Sequence, residues 1–144
     1  MVYLSQKDLR WGGKPIGNSK SLIKDFGCTI TSISMASDYF GCFQNPGWMA
    51  KNLLFAVDKV IWSSIRKVLC FGFEWRYYYH DQVKFAEAIK NLKKVCLLEI
   101  KKKHWVIALK KIPGGYWVAD PWDSRRKFML NSSVSGGSVL IKNL

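Results

Sequence analysis

A chain of 144 residues that is 49% hydrophobic and 15% aromatic carries enough apolar surface for one folded domain, residues 1–144, and too little for two independent cores. That composition excludes disorder as a global description. Lysine and arginine outnumber aspartate and glutamate 23 to 10, and the net charge of +13 suits anionic partners while leaving the fold open.

Taken in chain order, residues 1–27 read as irregular, with Gly12, Gly13, Gly17 and Gly27 and few periodic apolar positions. Met1 to Gln6 lack the basic and apolar regions of a signal peptide. The least charged stretch, residues 26–50, contains Asp38 and many small polar residues, so no membrane span is expected. The expected setting is the cytoplasm, or delivery by a secretion or phage apparatus. From Cys28 onward Ile30, Ile33, Ser37 and Phe40 recur at helical spacing and Gly41 is placed to stop the helix, which puts Cys28 at a helix N-terminus. Asn45 and Pro46 predict a second helix, with Trp48, Met49, Asn52, Phe55 and Ala56 as its apolar stripe. A shorter helix is expected over residues 61–69 and an aromatic strand over 73–79. Asp81 then caps a helix that turns Phe85, Ala86, Ile89 and Leu92 inward.

Beyond residue 94 the period drops to two. Strands are expected at 95–100, 104–110, 116–120, 126–130 and 138–142, with Pro113, Gly114 and Gly115 turning one hairpin. The expected class is α+β in two layers, an N-terminal helical half packed on a C-terminal antiparallel β-sheet. Cys28, Cys42, Cys70 and Cys96 form no C-x-x-C pair and accompany only two histidines. Neither a zinc site nor any cofactor is expected, and all four are read as free thiols. His80 has no evident partner and reads as structural, and the seven tryptophans read mostly as core, with Trp122 at a cleft rim.

Three residues carry candidate chemistry. A cysteine opening a helix has its thiolate stabilised by the N-terminal N–H groups. His104 opens an apolar strand and Asp120 ends the next one before Pro121. Each has an ordinary structural explanation: a core cysteine, a strand-edge histidine, an Asp-Pro turn. Together they supply a thiol, a base to hold its proton and an acid to fix the imidazole tautomer, the set a cysteine hydrolase needs.

The blocks Gln6-Lys7-Asp8-Leu9-Arg10-Trp11, Gly17-Asn18-Ser19, Gly27-Cys28-Thr29-Ile30-Thr31-Ser32-Ile33-Ser34-Met35 and Tyr39-Phe40-Gly41 resemble the N-terminal part of the papain-like double-glycine, or bacteriocin-processing, peptidases. The likeness is to the stand-alone branch of cysteine peptidase family thirty-nine, which lacks a fused transporter. His104-Trp105-Val106-Ile107-Ala108 looks like that family's histidine strand, and Trp117-Val118-Ala119-Asp120-Pro121 looks like its Asp-Pro block. The resemblance implies a papain-like fold and a peptide or protein substrate. It makes Cys28 the nucleophile, His104 the general base, Asp120 the orienting acid and Gln6 the oxyanion-hole donor. Gln6 lies 22 residues before Cys28, whereas in the transporter-fused relatives the glutamine is only about one or two helical turns away.

Two other readings stand beside this one. Peptidoglycan peptides are a second substrate class, since a basic surface suits an anionic wall, and a basic aromatic-rich nucleic-acid-binding module is a third possibility in which no RNA- or DNA-binding motif is evident. Lys101, Lys102 and Lys103 lead directly into His104 and would lay a positive field beside it, unless they are a solvated edge. Hairpin register decides which aspartate serves His104. A two-residue loop, Pro113 and Gly114, sets His104 opposite Asp123, whereas an odd loop or an equivalent bulge puts Asp120 on its face; the family likeness favours the second.

Overall fold

The structure, a computed structural model, describes residues 1–143. The first 22 residues wind over the surface with one isolated bridge, Pro15 to Leu22, before a short helix α1 (Ile23–Phe26) runs into α2 (Cys28–Tyr39). Gly27 makes that junction possible. Its N–H donates to the Ile23 carbonyl at 2.8 Å, and a Cβ at this position would lie 2.5 Å from that same oxygen. Cys28 is therefore the first residue of α2, at the end where N–H groups point outward.

Helix α2 is buried on almost every side, which its small polar residues tolerate because they bond main chain: Ser37 Oγ donates to the Ser34 carbonyl at 2.6 Å. In α3 (Pro46–Asn52) the Asn45 carboxamide oxygen accepts from Trp48 N–H at 2.9 Å, with Pro46 in the first turn. This helix is shorter than its stripe predicts. Leu53 is extended and buried, and Phe55 and Ala56 belong to β1 (Phe55–Ala56), paired with β2 (Lys59–Val60). Phe55 packs on the same core from a strand, so apolar spacing alone did not separate the two outcomes.

A 3₁₀ turn at Trp62–Ser64 leads through α4 (Ile65–Val68) to β3 (Phe71–Tyr77). Asp81 caps α5 (Gln82–Lys90) by accepting from Lys84 N–H at 3.0 Å. Leu92, expected inward, is 84% exposed because the helix has ended, and Ala88 takes the inward place with Phe85. Then come β4 (Lys94–Ile100), β5 (His104–Ile112), β6 (Gly115–Asp120), β7 (Arg125–Leu130) and β8 (Val134–Lys142). They form one antiparallel six-stranded sheet with β3, in the order β3-β8-β4-β5-β6-β7.

Mixed α+β architecture is as expected, but there are three layers rather than two. Leu97, Ile107 and Leu140 bury one face of the sheet against the α2–α3 side, while Leu98, Val106 and Val118 bury the other against Phe85 and Ala88 of α5. Val95 to Leu98 are all buried, the continuous pattern of a strand covered on both faces. Trp75, expected in the core, is 60% exposed on edge strand β3.

The reading of four free thiols fails for two of them. Cys42 and Cys70 form a disulfide, with Cα atoms 6.2 Å apart. Phe40, at the end of α2, stacks on Phe71, at the start of β3, with ring centroids 4.7 Å apart, and this contact brings the two cysteines together across 28 residues of sequence. Cys28 and Cys96 are free and buried. Among the described residues no helix is long and apolar enough to cross a membrane.

Candidate active site

The β5–β6 hairpin has a two-residue loop, with Ile112 opposite Gly115 and Lys110 opposite Trp117. That register alone would give His104 to Asp123. A bulge at Leu109 then shifts the pairing by one, so Ala108 faces Val118 and Ile107 faces Ala119. Continued to the end of β5, the shifted register puts Asp120 diagonally beside His104, and His104 Nε2 meets Asp120 Oδ1 at 2.6 Å. Asp123 instead pairs with Lys127 at 2.9 Å.

With Nε2 committed to Asp120, Nδ1 is the ring nitrogen left for the Cys28 thiol, which lines the same cleft as His104. Burial alone would push the thiol up. The His104 hydrogen bond and charge, the Trp105 main chain and the Thr29 side chain outweigh it, and the net shift is downward. Burial likewise opposes a charged His104, but its bonds to Asp120 and Cys28 prevail and raise it to about 9. Asp120, against its own burial, is brought down to about 2 by His104, by the Trp122 N–H at 2.9 Å and by Lys127 Nζ at 2.9 Å. The three shifts have one physical content: each residue's environment favours its charged form, thiolate, imidazolium and carboxylate.

Gln6 is 1% exposed and lies on the same cavity as Cys28. The segment between them folds back on itself, with Trp11 Nε1 donating to the Ser5 carbonyl at 2.8 Å and Lys24 N–H to the Gly12 carbonyl at 3.0 Å. Gln6 N–H donates to the Pro121 carbonyl at 2.6 Å, tying this segment to the Asp120 loop. Its side-chain Nε2 donates one N–H to the Lys24 carbonyl at 3.1 Å and keeps a second.

These groups line a cleft of about 480 Å³ between the helical side and the sheet. Trp122 stands at the rim as expected, 43% exposed with the Lys7 ammonium 3.6 Å above its ring. On the far side Arg76 pairs with Glu99 at 3.0 Å, and its guanidinium lies 4.3 Å from the Tyr78 ring and 4.9 Å from that of Trp105. Sequence reading missed Arg76, Glu99 and Lys127. Lys127 was accessible in principle, because pairing Asp120 with Arg125 makes residue 127 a diagonal neighbour on the same face. Arg76 and Glu99 sit on strands that meet only through β8, and no local pattern announces them.

His80 does have a partner: its Nε2 lies 2.6 Å from Tyr116 Oη, on the opposite face of the sheet from the cleft. Compared with known proteins, the chain matches no family model, no curated protein and no solved structure.

Proposed function

We propose that the chain is a cysteine peptidase of papain-like fold, hydrolysing a peptide bond through Cys28, His104 and Asp120. The observation that carries this reading is the placing of one histidine, its Nε2 on a buried carboxylate at 2.6 Å and its ring on the same cleft as a helix-opening thiol. In this mechanism the Cys28 thiolate attacks the substrate carbonyl carbon and the carbonyl π electrons move onto oxygen. The second Gln6 N–H and the Cys28 main-chain N–H hold that oxyanion. As the oxyanion collapses, the C–N bond breaks and the His104 imidazolium gives its proton to the leaving amine, leaving a thioester on Cys28. His104, now neutral, takes a proton from water as it adds to the thioester, and collapse releases the carboxylic acid and restores the pair. Asp120 keeps the imidazole in the required tautomer throughout.

The Cys42–Cys70 bridge favours work in an oxidising compartment. With the net charge of +13, that favours a second substrate class, cell-wall peptides, on the same chemistry. The test is to expose a mixed peptide library to the wild type and to Cys28→Ala and sequence new N-termini by mass spectrometry. Cleavage by the wild type alone is expected; equal cleavage by both, or iodoacetamide labelling of Cys28 no faster than of Cys96, would overturn the proposal.

A further inference from the structure

The three residues between β4 and β5 are Lys101, Lys102 and Lys103, closed by the Ile100–His104 pair. Lys101 has φ 51° and Lys102 φ 58°, the left-handed region where a side chain is penalised and glycine or asparagine is favoured. The turn is fixed by main-chain bonds: Lys101 N–H to the Ser133 carbonyl at 2.9 Å, Lys102 N–H to Ser135 Oγ at 2.8 Å, and Lys103 N–H to the Ile100 carbonyl at 3.0 Å. None of these bonds needs a lysine side chain. Two lysines nonetheless stand where their backbone is disfavoured, immediately before His104. Among the described residues none of the three ammonium groups has an ion pair or side-chain hydrogen bond.

Lys102 and Lys103 line the cleft, and Lys59 lines it as well from the β1–β2 hairpin. Of the carboxylates along the same cleft, one is paired with a cation. Glu99 is neutralised by Arg76 and also accepts from Ser135 Oγ at 3.1 Å, whereas Asp58, which accepts from Ser21 Oγ at 2.7 Å, and Asp25 have no ion pair among the described residues. Three ammonium groups, Lys59, Lys102 and Lys103, against two carboxylates without an ion pair, Asp25 and Asp58, leave the cleft with a positive balance that attracts anions.

We propose that the Lys101–Lys103 turn docks an acidic peptide, holding side-chain carboxylates beside the bond presented to Cys28. This rests on the peptidase reading and specifies its substrate class. An outer basic patch would fit any polyanion, but Lys102 and Lys103 share the cleft with Cys28 and His104, where the chain being cleaved must itself lie; that favours carboxylates of the substrate over a remote phosphate polymer. The strained backbone is then retained because the ammonium groups are needed at that place, the usual reason for strain beside a working site.

The test uses fluorescein-labelled hexaglutamate and a variant, Lys101→Asn with Lys102→Gly and Lys103→Gln, whose replacements suit the turn's backbone. Hexaglutamate is expected to bind the wild type in a salt-sensitive manner by fluorescence anisotropy, to slow iodoacetamide alkylation of Cys28, and to bind the variant about tenfold more weakly, while the variant melts no lower than wild type. Unchanged hexaglutamate affinity in the variant overturns the proposal, as does equal or tighter capture of labelled hexathymidylate, which would assign the turn to phosphate polymers. Anisotropy does not depend on a reactive Cys28, so failure of the peptidase reading shows separately, as unselective alkylation.

Discussion

Each face of the sheet holds one free buried cysteine and one histidine with a partner at 2.6 Å, yet the two sets are opposite in character. On the cleft face the partner of His104 is a carboxylate, which against burial raises the imidazole to about 9, and His104 in turn lowers the Cys28 thiol against its own burial. On the α5 face the partner of His80 is the Tyr116 phenol; burial first, and then the Lys111 charge, push His80 down. Cys96 has only its burial, which pushes the thiol far up. The same two residue types are shifted toward their charged forms on one face and toward their neutral forms on the other, and what separates them is a carboxylate and access to a cleft.

The sharpest way to break this contrast is to delete the sulfurs. Cys28→Ala should abolish turnover and keep the fold, whereas Cys96→Ala should keep turnover and cost about 1–3 kcal/mol of stability, read by denaturant unfolding. Next comes the carboxylate. Asp120→Asn should lower kcat by roughly a thousandfold or more by favouring the wrong tautomer, and Asp123→Asn should stay near wild type; the reverse ranking would mean that Asp123, through Lys127, governs His104. Gln6→Ala should cost about a hundredfold in kcat if its free N–H serves the oxyanion, and a loss in KM alone would deny it that role.

Much of this was legible from sequence, for definite reasons. Asn45 and Asp81 are local signals whose partners lie within three residues, and the two caps follow from them; the start of α2 at Cys28 was legible too, but α1 lies in a stretch read as irregular. Period-two alternation located the strands within a few residues. The Leu109 bulge was not readable as a position, because a two-residue loop and a later bulge produce the same facing of His104 and Asp120 as an odd loop does. The disulfide depends on Phe40 meeting Phe71, a contact between elements that spacing does not encode, and the free-thiol reading rests on the lack of secretory features, against an even cysteine count. A test of that correction is Cys42→Ser with Cys70→Ser, which should lower stability by about 3–4 kcal/mol for a loop of this length. No change in the unfolding midpoint would count against a bridge in the folded protein.

The smallest effect is the most discriminating, because the two histidines should titrate in opposite directions within one sample. Followed by NMR at the imidazole Cε1–H, His104 should change near pH 9 and His80 below its ordinary 6.5. Two coincident titrations near 6.5 would erase the distinction between the faces. The stability consequences carry opposite signs. His104, raised by folding, contributes stability that is complete below 6.5 and lost as pH rises through about 9; His80, lowered by folding, contributes stability that is present above 6.5 and lost as pH falls through its folded value. Turnover should follow the cleft pair alone, with an acid limb where Cys28 protonates, below the ordinary thiol range, and an alkaline limb near 9 where His104 deprotonates. Lys127 sharpens this further. Its ammonium shares Asp120 with His104, so Lys127→Met removes a positive charge that opposes the imidazolium. Because Lys127 is about a third exposed, solvent weakens the effect, and the alkaline limb should rise by about half a pH unit to one unit. His80, on the other face, should not move, and a shift of both histidines together would trace the change to the fold instead of to the charge beside Asp120.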